Sequence, residues 1–440
     1  MAVLPSARLL GAVALLVPLS LLGAFARPLG YVVLMLAGLL LLLFGAEALS
    51  LLRSSGAQLR VRRLGGSVFE VGVATVVVLE LTNRSRRSLR VSLVDGCPES
   101  LQPKALRLTA SLAPGELINL SYGVCPLARG PLAFVPTEIR IEGPLGFAEH
   151  RTQRTISGEV RVHPDLRVLR GTGLRSRRAL LQAGGGRRTR SPGRDGDFER
   201  LRDFVSGDDL RHIDWKATAR LRRPITRLYR AEKSQTLFIL LDASRLMAKS
   251  ADGRSKMDLA VEAALHLAWV GLRRGDRVGV TVFDDRVRCQ IAARPGMAQF
   301  GRILDLLYAQ QPKLSFPRYR TAARGLLLQQ RRRALVIWIT DLFNVDQGQE
   351  LLAALEALRG RHLSLVVAQD DPGVHRLAAA NPRRPADYFG RAAASEALAE
   401  RQALLQGLSR GGARVVTSGA ERLSAAAVDE YLDLKQSGRL

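Results

Sequence analysis

The chain has 440 residues, 66 basic and 40 acidic side chains, a formal charge of +26, three cysteines and 5% aromatic residues. That length allows two or three folded units. So few aromatics leave little for the base-stacking platforms of single-stranded nucleic-acid binders. Cys97, Cys125 and Cys289 have no metal-ligand spacing and fit reduced thiols better than a disulfide framework, although Cys97 and Cys125 fall within one segment. Only 7 of the 66 bases are lysine, an arginine skew that a GC-rich coding sequence explains as well as an anionic partner does.

The first segment, 1–55, is a transmembrane helical hairpin by composition. Two apolar runs, 9–26 and 29–52, are bounded by Arg8, Arg27 and Arg53. Each approaches the roughly 20 residues needed to cross about 30 Å of hydrocarbon. Arg27-Pro28 leaves room only for a tight turn, and Pro18 predicts a kink in the first run. Ala24-Phe25-Ala26 imitates a signal cleavage site, but the immediate second span favours a retained hairpin. Arg53, Arg60, Arg62 and Arg63 follow the second span, so the positive-inside rule places both ends in the cytoplasm. Glu47 has two readings: a buried polar contact between the helices, or an interfacial partner for Arg53.

Residues 56–165 switch to short alternating runs. Val68–Val71, Thr75–Leu81, Leu89–Val94 and Ile139–Ile141 read as strands with one buried face. Asn83-Arg84-Ser85, Ala113-Pro114-Gly115 and Gly143-Pro144-Leu145-Gly146 break them. The spacing predicts an all-β, sandwich-like domain.

Residues 166–235 form a basic linker and an acid–base signature. The stretch 183–194 is too rich in Gly and Arg to bury a core. Between Asp165 and Lys233, 19 bases face 9 acids. Such a stretch is either a solvated linker or a surface for anionic headgroups or nucleic acid. In the signature, Gly196-Asp197-Phe198-Glu199-Arg200 through Ile213-Asp214-Trp215-Lys216, Asp203, Asp208, Asp209 and Asp214 stand beside Arg200, Arg202, Arg211 and Arg220. Ile213 and Trp215 read as apolar anchors of a salt-bridged clamp, with His212 among the acids as the feature of a partner surface.

From 236 to 440 apolar strands alternate with amphipathic helices. Leu237–Leu241, Arg277–Phe283, Val287–Ile291, Ala334–Ile339, Leu363–Val367 and Ala413–Val416 are the strands. Asp258–Arg274, Ala298–Tyr308, Ala322–Arg332, Glu350–Leu358 and Glu396–Leu408 are the helices. The alternation predicts an α/β, doubly wound, mostly parallel sheet. Asp242 and Asp341 both fall just past strand carboxyl ends, the edge where such sheets bind ligands.

The signature, together with the strand ending at Asp242, resembles the bacterial family called domain of unknown function 58. The resemblance runs over roughly 125–420. It implies that the last segment is a von Willebrand factor type A domain with a Rossmann-like sheet. It also implies a metal-ion-dependent adhesion site, whose pattern is Asp-x-Ser-x-Ser, then a distant Thr and a distant Asp. Asp242 and Ser244 match the first loop, Leu246 stands where the second Ser belongs, Thr321 takes the Thr position and Asp341 the last. Hydroxyls and carboxylates suit Mg2+ or Mn2+, with water filling the gap at Leu246. Read from the residues alone, Asp242, Ser244 and Asp341 are equally suited to capping turns and helices.

No phosphate-binding loop, His-Glu-x-x-His or Gly-x-Ser-x-Gly occurs, and the six histidines are isolated. The expected function is therefore non-enzymatic: a two-pass inner-membrane adaptor or scaffold whose cytoplasmic domain binds another protein. The resemblance implies a MoxR-type AAA+ ATPase as that partner. The alternative is anionic-lipid or nucleic-acid binding through the Arg-rich linker.

Overall fold

A computed structural model of the protein describes residues 2–23, 27–54, 59–104, 107–156, 158–167, 196–205, 213–231, 234–251, 254–342, 345–382 and 384–437. They belong to two compact units, Met1–Asp165 and Leu166–Leu440.

The first unit opens with strand β1 (Ala2–Pro5) and helices α1 (Ala7–Gly23) and α2 (Arg27–Ser54). Within α2, Pro28–Leu52 is long and apolar enough to cross a membrane, whereas α1 is a shorter apolar helix. Ten strands follow: β2 (Leu59–Leu64), β3 (Val68–Glu70), β4 (Thr75–Asn83), β5 (Leu89–Gly96), β6 (Leu108–Leu112), β7 (Leu117–Val124), β8 (Gly130–Ala133), β9 (Val135–Glu142), β10 (Ala148–Arg154) and β11 (Glu159–His163). They make three sheets, ordered β1-β10-β9-β5-β6, β2-β4-β7 and β3-β11-β8. In β4 the period of two is plain: Val77, Leu79 and Leu81 point inward, joining Leu93, Leu112, Val124 and Ile139 in one apolar core. β10 escapes sequence reading because its inward residues are Ala148, His150 and Thr152, none of them a large apolar side chain.

One buried ion pair braces this core. Asp95 accepts from Arg63 Nη2 at 2.6 Å, Tyr122 Oη at 2.6 Å and Thr137 Oγ1 at 2.7 Å. Cys97 lies beside it, and burial, with the Asp95 charge, pushes its thiol up to about 11. Neither Cys97 nor Cys125 is in a disulfide. A thiol held this high is protonated and inert at neutral pH.

Glu47 is hydrogen-bonded to a loop of the β-domain instead of to helix α1, and its expected pairing with Arg53 falls on a side chain outside the described ones. Its carboxylate is buried and accepts four consecutive backbone N–H groups of the β9–β10 loop: Leu145 and Gly146 on Oε1 at 2.7 and 2.9 Å, Phe147 and Ala148 on Oε2 at 2.8 and 3.0 Å. Four successive amides turned toward one anion neutralise a charge that an apolar helix end could not otherwise hold. A β-carbon on Gly143 would come within 2.1 Å of Glu47 Oε1, so only glycine fits there. The same loop is held from the other side. Ser6 Oγ donates to Gly146 O at 2.5 Å, and β1 pairs antiparallel with β10, Leu4 opposite Glu149.

The second unit begins with β12 (Gly196–Asp203) and β13 (Ile225–Ala231), an antiparallel pair connected through helix α3 (Trp215–Leu221). Asp214 caps α3, accepting from Lys216 N and Ala217 N at 3.0 Å. Asp203 pairs with Arg223 at 3.1 Å on the surface. Trp215 is not the anchor expected from the sequence: at 71% exposed it faces solvent, because capping by Asp214 fixes it at the first helical position, where α3 buries no residue. The linker 183–194 and Asp208, Asp209, Arg211 and His212 lie outside the described residues.

A six-stranded sheet follows. Its elements are β14 (Thr236–Asp242), a small ribbon of β15 (Ser250–Ala251) and β16 (Arg254–Ser255), α4 (Lys256–Arg273), β17 (Arg277–Phe283), β18 (Val287–Arg294), α5 (Met297–Leu307), α6 (Tyr319–Gln329), β19 (Leu335–Thr340), α7 (Val345–Leu358), β20 (Leu363–Gln369), α8 (Pro372–Ala379), α9 (Pro385–Arg410), β21 (Arg414–Ser418) and α10 (Leu423–Gln436). The order is β18-β17-β14-β19-β20-β21, parallel except for edge strand β18. Alternate residues of the central strands feed opposite faces. Leu237, Ile239, Leu241, Ile337 and Ile339 pack with α4 and α10, whereas Phe238, Leu240, Val336 and Trp338 pack with α6 and α7. Apolar burial on both faces is why these strands read as continuous hydrophobic runs. α8 and α10 had no sequence signal of comparable strength.

Two predictions follow from the first unit. Iodoacetamide labelling of Cys97, followed by mass spectrometry, is expected to keep accelerating about tenfold per pH unit from 8 to 10, since the thiolate is scarce throughout. A plateau by pH 9 contradicts this. Glu47→Ala is expected to destabilise the unit by about 3 kcal/mol, because four buried donors lose a charged acceptor. Glu47→Gln is expected to lose nearly as much, because its amide turns donors toward donors. Unfolding of the full chain in mild detergent measures both.

Candidate functional site

Two parallel strands carry the predicted acids to one place. β14 ends at Asp242 and neighbouring β19 ends at Thr340, so Asp242 and Asp341 emerge side by side at the carboxyl edge. β14 lies between β17 and β19, where the winding of the sheet reverses, the place where open α/β sheets bind their ligands. Asp242, Ser244 and Asp341 are all fully buried.

Asp242 is held by the protein's own donors. Oδ1 accepts from Ser244 N at 2.8 Å, and Oδ2 accepts from Thr340 Oγ1 at 2.6 Å. Tyr319 Oη lies 2.8 Å from Thr340 Oγ1 and 3.4 Å from Asp242 Oδ2, completing a chain of hydroxyls. Burial pushes the Asp242 carboxyl up to about 6, against hydrogen bonds from Thr340 and Ser244 that hold it down and with the Asp341 charge adding to the rise. Tyr319 is driven well above the usual phenol range, first by burial and then by the charge of Asp242.

Asp341 has a different partner. Its Oδ1 accepts from Leu342 N at 3.0 Å, and Oδ2 takes Lys256 Nζ at 2.6 Å, with both side chains fully buried. Lys256 also lies 3.6 Å from Asp371, and Arg401 approaches Asp341 Oδ1 at 3.9 Å. Gln369 fixes the lysine's backbone, its Nε2 donating to Lys256 O at 2.7 Å, and Arg401 in turn donates to Gln369 O.

Thr321 is not brought to these acids. It is exposed on the first turn of α6, where Glu350 accepts from Tyr319 N and Arg320 N; that cap turns Tyr319, two residues earlier, inward instead. Leu246 is buried and offers no oxygen. The hydroxyl that bonds Asp242 comes from Thr340, to which the sequence reading gives no role. Lys256 was also missed, although it carried a signal: a lysine at the first position of a helix opposes the helix dipole and needs a reason to be there.

This donor set does not fit a resident divalent ion. Mg2+ wants six oxygens at about 2.0–2.1 Å, yet every oxygen of Asp242 and Asp341 already has a protein donor. The Lys256 ammonium already neutralises Asp341. Ser244 Oγ, like Gln369 Oε1, is a buried oxygen with no hydrogen-bond partner among the described residues, although its proximity helps hold the Asp242 carboxyl down. Among the described residues no group of three or more His, Cys, Asp or Glu side chains could hold a metal.

The second unit is thus an open α/β domain with a buried charge cluster at the carboxyl edge of its sheet. Residues 200–380 match the family described as protein of unknown function DUF58, so the chain carries a domain of that family. Uncharacterized proteins of Mycobacterium tuberculosis and Mycobacterium bovis are each 27% identical over 183 residues, 41% of this chain. The matched region spans 56% of the length of these relatives. Among solved structures, the conserved hypothetical protein BatB from Bacteroides thetaiotaomicron is 15% identical, with a TM-score of 0.32, over 46% of this chain and 100% of that one.

The two threonines can be told apart by experiment. Thr340→Val removes a hydrogen bond to a buried carboxylate and is expected to cost about 1.5–3 kcal/mol. Thr321→Ala, on the surface, is expected to change stability by less than about 0.5 kcal/mol. Chemical unfolding of the full chain compares them; equal losses contradict the placement.

Proposed function

We propose that this protein is a membrane-anchored, non-enzymatic adaptor whose α/β domain, of the von Willebrand factor type A kind, docks another protein at the carboxyl edge of its sheet. The observation that carries the reading is what covers that edge. The loop before α6 is tied to the Asp242 loop by Lys313 N to Ala243 O at 2.8 Å and Arg245 N to Ser315 O at 3.1 Å. It presents Leu314, 88% exposed, and Phe316, 59% exposed, with the Arg245 guanidinium 3.9 Å above the Phe316 ring. Beneath it the acids are sealed. A rim with aromatic and aliphatic side chains outside, and its charges satisfied inside, suits protein contact better than chemistry on a small substrate.

The anchor reading rests on the first unit. About 19 residues of α2 precede Glu47, a rise of roughly 28 Å, close to the hydrocarbon thickness. β1, just ahead of α1, and Glu47, near the end of α2, both bind the β9–β10 region. This favours two antiparallel passes with both outer ends on one side, and the arginines after α2 favour the cytoplasmic side of the inner membrane. The resemblance to the DUF58 family points to a MoxR-type AAA+ ATPase as the docked partner.

The test is affinity capture of the tagged full chain from a gentle detergent extract of its native cells, with wild type beside a Leu314→Ser, Phe316→Ser double variant. The wild type is expected to retain a MoxR-type ATPase, identified by mass spectrometry, and the variant to retain at least about fivefold less, the effect of removing apolar anchors worth about 1 kcal/mol or more. Absence of the ATPase from the wild-type sample, or equal capture by both, overturns the proposal.

A further inference from the structure

We propose that Lys256 is a built-in cation replacing the divalent metal that the family resemblance would place at the sheet's carboxyl edge, so that this domain is assembled without metal. The argument is one of geometry and charge. Lys256 heads α4, directly after the β15–β16 ribbon, and its side chain is swallowed whole, with no exposed surface. A buried ammonium requires an anion in contact, and it has one at 2.6 Å in Asp341, with Asp371 as a second neighbour. Its position is enforced, since Gln369 at the end of β20 grips the Lys256 carbonyl.

What a metal would do here, the ammonium already does. It neutralises the acid at the end of β19 and ties α4 to the neighbouring strand ends. The departures from the adhesion-site pattern agree with this. Leu246 supplies no ligand, Thr321 faces solvent, and the hydroxyl that does reach Asp242, from Thr340, donates a hydrogen bond to the carboxylate. Ser244 Oγ and Gln369 Oε1 are buried oxygens without a hydrogen bond among the described residues, too few for a metal's shell. A dication entering this cluster would have to share it with a positive charge that cannot leave. The inference stands apart from the proposed partner, because it concerns how the edge is built and not what docks on it.

The experiment uses the purified full chain in detergent, wild type, Lys256→Arg and Lys256→Met, with Mn2+ as probe. Electron paramagnetic resonance counts bound Mn2+, and thermal unfolding is followed with Mn2+ and with chelator. Wild type and Lys256→Arg are expected to bind no Mn2+ saturably and to melt at the same temperature in both conditions. Lys256→Met, similar in length but uncharged, is expected to melt at least about 6 °C lower, because it leaves a buried carboxylate unpaired; Lys256→Arg is expected to lose less than half as much. Saturable binding of one Mn2+ by wild type that disappears in Asp242→Asn overturns the proposal. Equal destabilisation by arginine and methionine overturns it too, since shape and not charge would then be the requirement. Should Lys256→Met fail to fold while Lys256→Arg folds, the charge requirement is met.

Discussion

A lysine ammonium and an aspartate carboxylate, both wholly out of water, touch at the point where a parallel sheet reverses its winding. Removing either ion from solvent is costly, and only close contact with the other, plus hydrogen bonds to the remaining oxygens, offsets that cost. The surroundings of the pair are arranged to that end. Leu342 N–H serves the second oxygen of Asp341, Gln369 secures the start of α4, and Arg401 adds positive charge behind. Asp242, one strand away, takes a hydroxyl and an amide in place of a cation, and burial makes it reluctant to ionise in spite of those hydrogen bonds. The edge that usually receives a ligand is therefore closed from within, and what it shows to the outside is a loop bearing Leu314 and Phe316.

The first unit solves a related problem with the opposite sign. Glu47 is an acid at the end of an apolar helix, and no basic side chain is needed to house it. Four successive N–H groups of the β9–β10 loop converge on it, and the loop can come that close only because Gly143 has no side chain. Strand β1 pairs with the following strand, so helix and sheet are fastened at adjacent points. In both units a single ionised side chain fixes an element whose apolar surface alone would not specify its position.

Much of the second unit was legible in the sequence, because doubly buried strands such as 237–241 and 335–339 are unbroken apolar runs and their carboxyl ends locate the acids. Asp242 and Asp341 were found that way, and the structure places them together. The family resemblance assigns the hydroxyl to Thr321, but the actual neighbour of Asp242 is Thr340, the last residue of β19, where one hydroxyl closing an apolar run carries no motif of its own. Lys256 carries only a weak local signal, its place against the dipole at a helix start, and most such lysines are solvated surface residues. Its burial depends on Asp341, 85 positions away, and such pairings leave no local trace. The β-domain was less legible still: β10 turns His150 and Thr152 inward, and short strands such as β8 offer too few residues for a period of two to emerge. Glu47 was noticed, yet its partners are backbone amides, which any sequence could supply.

The account turns on which cation neutralises the sheet edge. Crystals of the full chain grown with Mn2+, with diffraction data collected at the manganese absorption edge, answer this directly. The account predicts no anomalous peak among Asp242, Ser244 and Asp341, and electron density for Lys256 in contact with Asp341. A manganese peak bonded to Asp242 and Ser244, with the lysine turned away, would contradict it.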